Sequence, residues 1–149
     1  MRDVTRLIDA CCEAYDNPAW IPHDGKTFCN FAVNYICHVM GYDGFGAKSG
    51  PLLANAMIDL MRANLKIWQP IPMAQAQQFA NQGSLVIACQ SKRPHGHVAV
   101  IRPGEQVYST KWKAAVPKCV NIGAQNSIGR GINWVFPARP EIFVWFASV

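Results

Sequence analysis

The stretch DGKTFCNFAVNYICHVMG, residues 24–41, decides how the rest of the chain is interpreted. Apolar residues recur there at the three- and four-residue spacing of one buried helix face: Cys29, Ala32, Val33, Ile36, Cys37 and Met40. Thr27 is suited to cap the start of this helix, with Asn30 as a partial capping box, and Gly41 is suited to end it. The pattern predicts that Cys29 lies in the first turn of a buried helix.

A cysteine in the first turn of a helix has a physical reason to be reactive. The free N–H groups and the positive end of the helix dipole favour a thiolate over a thiol, and the thiolate is the nucleophile of cysteine hydrolases. For a cysteine taken alone, a small buried core residue is the more common role. The second stretch HGHVAVI, residues 95–101, favours the reactive interpretation because it supplies a base.

The apolar segment His97–Ile101 predicts a strand, on which alternate side chains share a face. We therefore expect His97 to face the helix of Cys29, to take the thiol proton and later to give it to the leaving amine. His95 is a rival base, but Gly96 disfavours an earlier start of the strand. A metal site made of both histidines with Cys89 or His23 has no recognised ligand spacing, so no metal or cofactor is predicted.

Length and composition indicate one domain over residues 1–149, because a 16.5 kDa chain with half its residues hydrophobic can bury a full core. The net charge of +5 favours anionic partners, yet the basic residues are scattered and no nucleic-acid motif accompanies them. No apolar run reaches the length of a membrane span, so stable membrane insertion is not expected. None of the six cysteines forms a CxxC pair, and four fall on apolar helix faces, so free thiols are predicted.

Helix-type periodicity dominates the first half of the chain and strand-type runs dominate the second. Helices are predicted over 4–15, 51–66 and 73–82, with inward residues that include Val4, Ile8, Tyr15, Leu53 and Ala56. Strands are predicted over 85–89, 97–101, 106–110, 118–122 and 142–146, and residues 41–50 are predicted to be a loop. Helices followed by strands, without βαβ alternation, indicate an α+β domain around an antiparallel sheet.

Four motifs carry a resemblance to a known group. They are Cys29-Asn30-x-x-Val33, the segment ANQGSLVIA at 80–88, Gly96-His97-Val98-Ala99-Val100 with Pro103-Gly104, and IGAQN at 122–126. From about residue 25 to its end the chain resembles the CHAP and NlpC/P60 cell-wall hydrolases of the papain-like superfamily. The resemblance implies a papain-like fold, with N-terminal helices packed on a C-terminal antiparallel β-sheet, and a cysteine amidase or endopeptidase acting on bacterial peptidoglycan.

The resemblance also bears on the residue that orients His97. In the CHAP family this residue lies shortly before a strand, often in an E-x-N arrangement, and the matching stretch here is residues 124–126. The acid is missing, so Asn126 is the predicted third catalytic residue after Cys29 and His97, with Asn121 as the alternative. Gln125 is expected to point to the opposite face. An asparagine is chemically adequate because its carbonyl oxygen accepts an imidazole N–H.

The oxyanion hole is expected to include the backbone N–H of Cys29. The loop before the cysteine offers His23 or Lys26 as a side-chain donor, and the sequence leaves both open. Four tryptophans are candidates to line a glycan or peptide cleft, although packing is the more common role of each: Trp20, Trp68, Trp112 and Trp134.

The expected function is therefore hydrolysis of peptidoglycan amides by a protein made in the cytoplasm without a signal peptide and acting in the periplasm or on the cell wall. A phage lysin and an injected antibacterial effector both fit, the latter with an immunity protein as a partner. Two alternatives remain open. One is a protein-directed cysteine protease or deamidase, and the other is a catalytically inactive papain-like binding domain, which the absent acid at position 124 favours.

Overall fold

The structure is a computed structural model that describes residues 2–46 and 50–149. Its α-helices are α1 (Val4–Asp16), α2 (Cys29–Val39), α3 (Ala54–Ala63) and α4 (Met73–Asn81). Its strands are β1 (Trp68–Pro70), β2 (Val86–Gln90), β3 (His97–Ile101), β4 (Val107–Ser109), β5 (Ala114–Val116), β6 (Cys119–Val120) and β7 (Glu141–Trp145). Short 3-10 helices span Pro18–Trp20, Ile132–Trp134 and Phe146–Ser148.

Five strands form one sheet in the order β1-β7-β2-β3-β6, and every neighbouring pair in it is antiparallel. Strands β4 and β5 pair with each other in a separate two-stranded sheet. Helices combined with antiparallel strands make an α+β domain, which confirms the fold class predicted from the sequence.

Alternation along the central strands separates two apolar layers. On one face, Val98 and Val100 of β3 pack in a core with residues of α1, α2 and α3. On the other face, Ala99 and Ile101 pack with α4, with Val116 of β5 and with Phe136. The sheet is therefore covered on both faces, and the strand β3 contributes to both cores.

The predicted helices are present, but the buried faces of two of them differ from the prediction. In α1 the buried residues are Leu7, Ala10, Cys11 and Ala14, whereas Val4, Ile8 and Tyr15 are exposed. In α3 they are Ala54, Met57, Ile58 and Met61. Leu53 precedes α3 and is 69% exposed. In α1 the small residues Ala10 and Ala14 take inward positions for which larger side chains were expected. In α3, Ala56, which was predicted to face inward, is exposed, and Ile58 is buried instead.

Three strands differ from the sequence-based prediction in their presence, pairing or length. Trp68–Pro70, between the predicted helices at 51–66 and 73–82, was not predicted as a strand, but it forms an edge strand paired with β7. The predicted strand at 106–110 is present as β4 but pairs with the unpredicted β5 instead of joining the main sheet. The strand predicted at 118–122 is shorter, because β6 covers only Cys119–Val120. Short edge strands have little apolar alternation, which is the signal that the sequence analysis uses.

The six cysteines are free thiols, as predicted. Within residues 2–46 and 50–149, none of the helices has the length and apolar character needed to cross a bilayer. Residues 47–49 of the predicted loop at 41–50 lie outside the described residues. Before them, Phe45 is fully buried and stacks on Trp68, so this part of the loop belongs to the core.

Candidate functional site

Helix α2 begins at Cys29, which places the cysteine in the first turn as predicted. The predicted cap is wrong, because Phe28 occupies the N-cap position and no side chain caps the helix. The predicted inward face is confirmed: Cys29, Ala32, Val33, Ile36, Cys37 and Met40 are all buried. Packing of this face on the sheet, rather than a cap, holds the start of the helix in place.

Cys29 is 8% exposed and lines a cleft of about 450 Å³. The cleft runs between the loop that precedes α2, the residues at the start of α3 and the β2–β3 loop, which contributes His95 and Gly96. Its walls include the exposed side chains of Phe31 and Leu53. Cys29 is therefore largely shielded from bulk water and borders a cleft that is open to solvent.

The thiol of Cys29 is not ionised by its position at the helix start. Burial raises its pKa from the usual 9.0, and this outweighs the backbone N–H groups of Val98, Asn30 and Cys29 itself, which lower it. The expectation of a resting thiolate is therefore wrong. The N–H groups at the helix terminus stabilise the thiolate. Removing the sulfur from water destabilises the thiolate by more, so the neutral thiol is favoured.

Strand β3 begins at His97, as predicted, but the orientation expected for that strand is wrong. Val98 and Val100 pack in the core that contains α2, whereas Ala99 and Ile101, on the same side as His97, pack in the opposite core. The imidazole of His97 accordingly lies against Phe136, with 5.3 Å between ring centres. The sulfur of Cys29 meets the strand at the backbone N–H of Val98, in the peptide unit that joins His97 to Val98.

The imidazole of His97 is oriented by Asn121. Its Nε2 lies 2.6 Å from Oδ1 of Asn121, while Nδ2 of Asn121 donates to the carbonyl oxygen of Gln125 at 2.8 Å. Because the amide nitrogen is used there, Oδ1 is the end that faces the ring and must accept its N–H. This network assigns the proton to Nε2 and leaves Nδ1 with a free lone pair, which is the form that a general base needs.

The surroundings of His97 keep the ring neutral. Burial lowers its pKa from the usual 6.5, and the hydrogen bond to Asn121 opposes that change in part. Since the pKa of the Cys29 thiol is raised, the two groups rest as a neutral thiol and a neutral imidazole at pH 7. Chemistry at this site therefore requires proton transfer during attack rather than a preformed ion pair.

The prediction that Asn126 orients His97 is corrected by these contacts. The side chain of Asn126 accepts from the backbone N–H of Gly123 at 3.0 Å and donates to the carbonyl oxygen of Trp20 at 3.1 Å. Asn121, the alternative from the sequence, contacts His97 instead. Asn126 thus ties the segment after β6 to the loop that leads into α2, and its position is structural.

The local backbone explains why Asn121 is the residue that reaches the ring. Asn121 and Ser127 exchange two backbone hydrogen bonds of 2.8 and 2.9 Å, which closes residues 121–127 into a narrow turn. Asn121 follows directly after β6, and the antiparallel register of β6 with β3 carries it opposite Ala99, two residues along the strand from His97. Asn126 lies across the turn and faces away. A motif match in sequence carries no information about this closure.

The β2–β3 loop forms one wall of the cleft, and Asn55 of α3 holds it there. Nδ2 of Asn55 donates to the carbonyl oxygen of Lys92 at 2.9 Å, and Oδ1 accepts from the backbone N–H of Lys92 at 3.3 Å. Gly96 passes so close to Asn55 that a Cβ atom there would collide with its side chain. His95 is exposed on this wall and precedes the strand. The role of Asn55 was not predicted, because nothing in a helix pattern marks an amide that anchors a distant loop.

The candidate side-chain donors for an oxyanion differ in position. Lys26 lines the cleft. His23 uses Nδ1 to donate to the carbonyl oxygen of Ile21 at 2.7 Å and stacks on Phe28. In its neutral form that leaves Nε2 without a proton, so His23 has no N–H to offer an oxyanion there. In the parts of the chain that the structure describes, no group of three His, Cys, Asp or Glu side chains could hold a metal ion.

The four tryptophans named as candidates for the cleft differ in burial and in location. Trp68 and Trp112 are buried core residues, which rules them out as cleft walls. Trp20 is half-buried and packs against Tyr35. Trp134 is 72% exposed and borders a second, smaller cavity next to Asn121.

No family model matches the chain, and comparison with curated proteins finds no match either. The arrangement itself is therefore the basis for a functional hypothesis. It places a cysteine at a helix start and, at the start of the strand that this helix packs on, a neutral histidine whose tautomer is fixed by an amide. In the part of the chain that the structure describes, no hydrogen bond joins the side chains of Cys29 and His97, so the structure does not bring the predicted nucleophile and base into contact.

Proposed function

We propose that the chain is a papain-like cysteine hydrolase that cuts amide bonds in bacterial peptidoglycan, with Cys29 as the nucleophile and His97 as the base. The observation that carries the proposal is the hydrogen bond from Nε2 of His97 to Asn121, because it leaves Nδ1 free as a proton acceptor. Asn121 takes the orienting role in this assignment.

The proposed reaction begins with a neutral thiol and a neutral imidazole, and the two side chains must approach each other for proton transfer because no hydrogen bond joins them in the described residues. As the sulfur of Cys29 attacks the amide carbon, Nδ1 of His97 takes the thiol proton and the carbonyl oxygen becomes an oxyanion. In this proposal the backbone N–H of Cys29 stabilises the oxyanion, and Lys26, which lines the cleft, is the candidate side-chain donor. The C–N bond then breaks, and the proton on Nδ1 passes to the leaving amine, so that a thioester remains on Cys29.

Hydrolysis of the thioester restores the site. Water enters the position that the amine has left, His97 takes one of its protons, and the resulting hydroxyl attacks the acyl carbon. The C–S bond breaks, the sulfur regains its proton from the imidazolium, and a carboxylic acid is released. The Asn121 amide accepts the same hydrogen bond throughout and gains no proton.

Charge supports an anionic envelope polymer as the substrate. Among the described residues, those that line the cleft include Lys26 and His95 and no aspartate or glutamate, and the chain carries a net charge of +5. Stem peptides of the wall carry free carboxylates, which such a cleft attracts. The sequence resemblance to CHAP and NlpC/P60 hydrolases points to the same substrate.

The test is a zymogram on purified peptidoglycan, with casein as a parallel substrate. Wild-type protein is expected to clear the peptidoglycan, and Cys29→Ala and His97→Ala are each expected to lower the rate by about a thousandfold or more. Cys12→Ala, which alters a half-buried cysteine of α1, is the matched control and is expected to retain activity.

Other outcomes separate the alternatives. Cleavage of casein without clearing of peptidoglycan would establish a protein-directed enzyme. A folded wild-type protein that cleaves neither substrate would establish a binding domain, the alternative that the raised pKa of the Cys29 thiol favours.

A further inference from the structure

The histidine proposed as the base lies at a weakly paired end of β3. In the ladder with β2, His97 pairs with Gln90, and this is the last pair before the β2–β3 loop. In the part of the chain that the structure describes, the ladder of β3 with β6 on its other side covers Val100 and Ile101 alone. His97 is therefore held by one neighbouring strand, and the end of a ladder opens more easily than its middle. A fixed place for the imidazole requires a further restraint.

The β2–β3 loop, residues 91–96, is a weak restraint by itself. Residues 91–95 are all exposed, and exposed loops with few hydrogen bonds are the mobile parts of a fold. Within residues 2–46 and 50–149, Asn55 is the one residue outside the loop whose side chain hydrogen-bonds to it. The position of the loop therefore depends on this amide.

Asn55 contacts both ends of the loop. At the first end, its Oδ1 accepts from Oγ of Ser91 at 3.4 Å and from the backbone N–H of Lys92 at 3.3 Å, while its Nδ2 donates to the carbonyl oxygen of Lys92 at 2.9 Å. At the other end, Gly96 packs on the same side chain, with no room for a Cβ atom between them. Because Gly96 directly precedes His97, this contact fixes the peptide unit from which the imidazole extends.

Asn55 is itself carried by a rigid element. It lies in the first turn of α3, and that helix is anchored in the core by three fully buried side chains: Met57, Ile58 and Met61. Just before the helix, the carbonyl oxygen of Leu52 accepts from Nδ2 of Asn30 at 3.0 Å. Asn30 follows Cys29 in the first turn of α2. The start of α3 is thus joined by one amide to the turn that carries the proposed nucleophile and by another to the loop that carries the proposed base.

We propose that Asn55 is a positioning residue, which holds His97 where its imidazole can reach the thiol of Cys29. This inference rests on the proposed function for the role of His97. Asn55 acts through the backbone of Lys92 and Gly96 and takes no part in the bond-breaking steps. Without it, the end of β3 is free to separate from β2, and the ring moves away from Asn121.

The first test is NMR spectroscopy of the protein with ¹⁵N-labelled histidine, in which His97→Ala assigns the signals of His97. Wild-type protein is expected to show the tautomer with the proton on Nε2. Asn55→Ala is expected to add the tautomer with the proton on Nδ1, because the bond to Asn121 is weakened. It is also expected to raise the pKa of His97 back towards 6.5, because the ring gains water.

Asn64→Ala is the matched control. Asn64 follows the same helix, and its Nδ2 donates to the carbonyl oxygen of Leu60 at 2.8 Å, so the variant removes one amide contact of α3 without touching the loop. We expect it to leave the His97 signals unchanged. Asn55→Ser, which also shortens the side chain but keeps a polar group in the helix, repeats the measurement if Asn55→Ala does not fold.

Kinetics provide the second test. Asn55→Ala is expected to lower kcat by about tenfold or more, because base and nucleophile lose their alignment, and Asn64→Ala is expected to retain it. If Asn55→Ala melts earlier than wild type but keeps its imidazole spectrum, Asn55 only stabilises the fold and the inference is overturned, while the proposed hydrolase stands. A wild-type protein that cleaves no amide would contradict the proposed function instead, and the spectrum would still decide whether Asn55 holds His97 in place.

Discussion

Gly123 packs directly on the imidazole of His97: a Cβ atom at position 123 would lie 3.1 Å from Cε1 of the ring. On another side, the ring of Phe136 contacts the imidazole. His97 is thus confined by a glycine, an aromatic ring and the amide of Asn121, which together fix both the ring plane and its tautomer.

Gly123→Ala tests this confinement. A contact of 3.1 Å requires the imidazole to move by a few tenths of an ångström, and we expect turnover to fall by about tenfold or more because base and nucleophile lose their alignment. Gly129→Ala is the control, since a Cβ atom there meets nothing within 4 Å. Rates and melting temperatures of both variants provide the measurement. Equal rates in the two variants would mean that the ring position tolerates the change.

Asn121 is expected to govern the rate without being essential. Asn121→Ala removes the acceptor for Nε2 of His97, and we expect a loss of roughly ten- to a thousandfold in kcat, less than the loss of the nucleophile. Asn121→Asp is expected to retain more activity and to move the acidic limb of the pH–rate profile upward, because a carboxylate stabilises the imidazolium. Full activity in Asn121→Ala would remove this residue from the mechanism.

Asn126 is expected to contribute to stability instead. Its two hydrogen bonds join Gly123 to Trp20, so Asn126→Ala leaves an N–H and a carbonyl without partners. We expect the free energy of unfolding to fall by about 1–3 kcal/mol in denaturant titrations. At low temperature the folded variant is expected to turn over more substrate than Asn121→Ala. The opposite order would restore Asn126 as the residue that orients His97.

The expected pH dependence of kcat/KM follows from the direction in which the pKa of His97 is shifted. The base must be neutral, and burial lowers its pKa below the usual 6.5. As the pH falls, kcat/KM is therefore expected to reach half of its plateau value only below pH 6.5, where His97 gains its proton in the free enzyme. A decline that is already complete at pH 6.5 would show that His97 is stabilised in its charged form.

Alkylation by iodoacetamide reports on the resting state of Cys29. Because its thiol pKa is raised from 9.0, we expect the labelling rate to climb about tenfold per pH unit from neutrality to pH 9. Peptide mapping by mass spectrometry, in a Cys12→Ala background, isolates the signal of the cleft cysteine. A rate that is constant between pH 5 and pH 8 would indicate a resting thiolate.

The sequence predicted the parts of the site better than their mutual arrangement. Periodicity placed Cys29 in the first turn of α2 and His97 at the start of β3, because a long apolar face and a β-branched run are strong local signals. The choice between Asn121 and Asn126 depended on how residues 121–127 close on themselves, which no local pattern encodes. The protonation state of Cys29 depends on burial by segments that are distant in the sequence. This burial raises the thiol pKa, whereas the helix terminus alone was expected to lower it.

The raised thiol pKa of Cys29 also bears on how the protein withstands oxidation. With a pKa above 9.0, fewer than about one molecule in a hundred carries the thiolate at pH 7, and peroxides and disulfides react with the thiolate rather than the thiol. The proposed nucleophile is therefore expected to be preserved in oxidising surroundings until a substrate occupies the cleft and its thiol loses the proton.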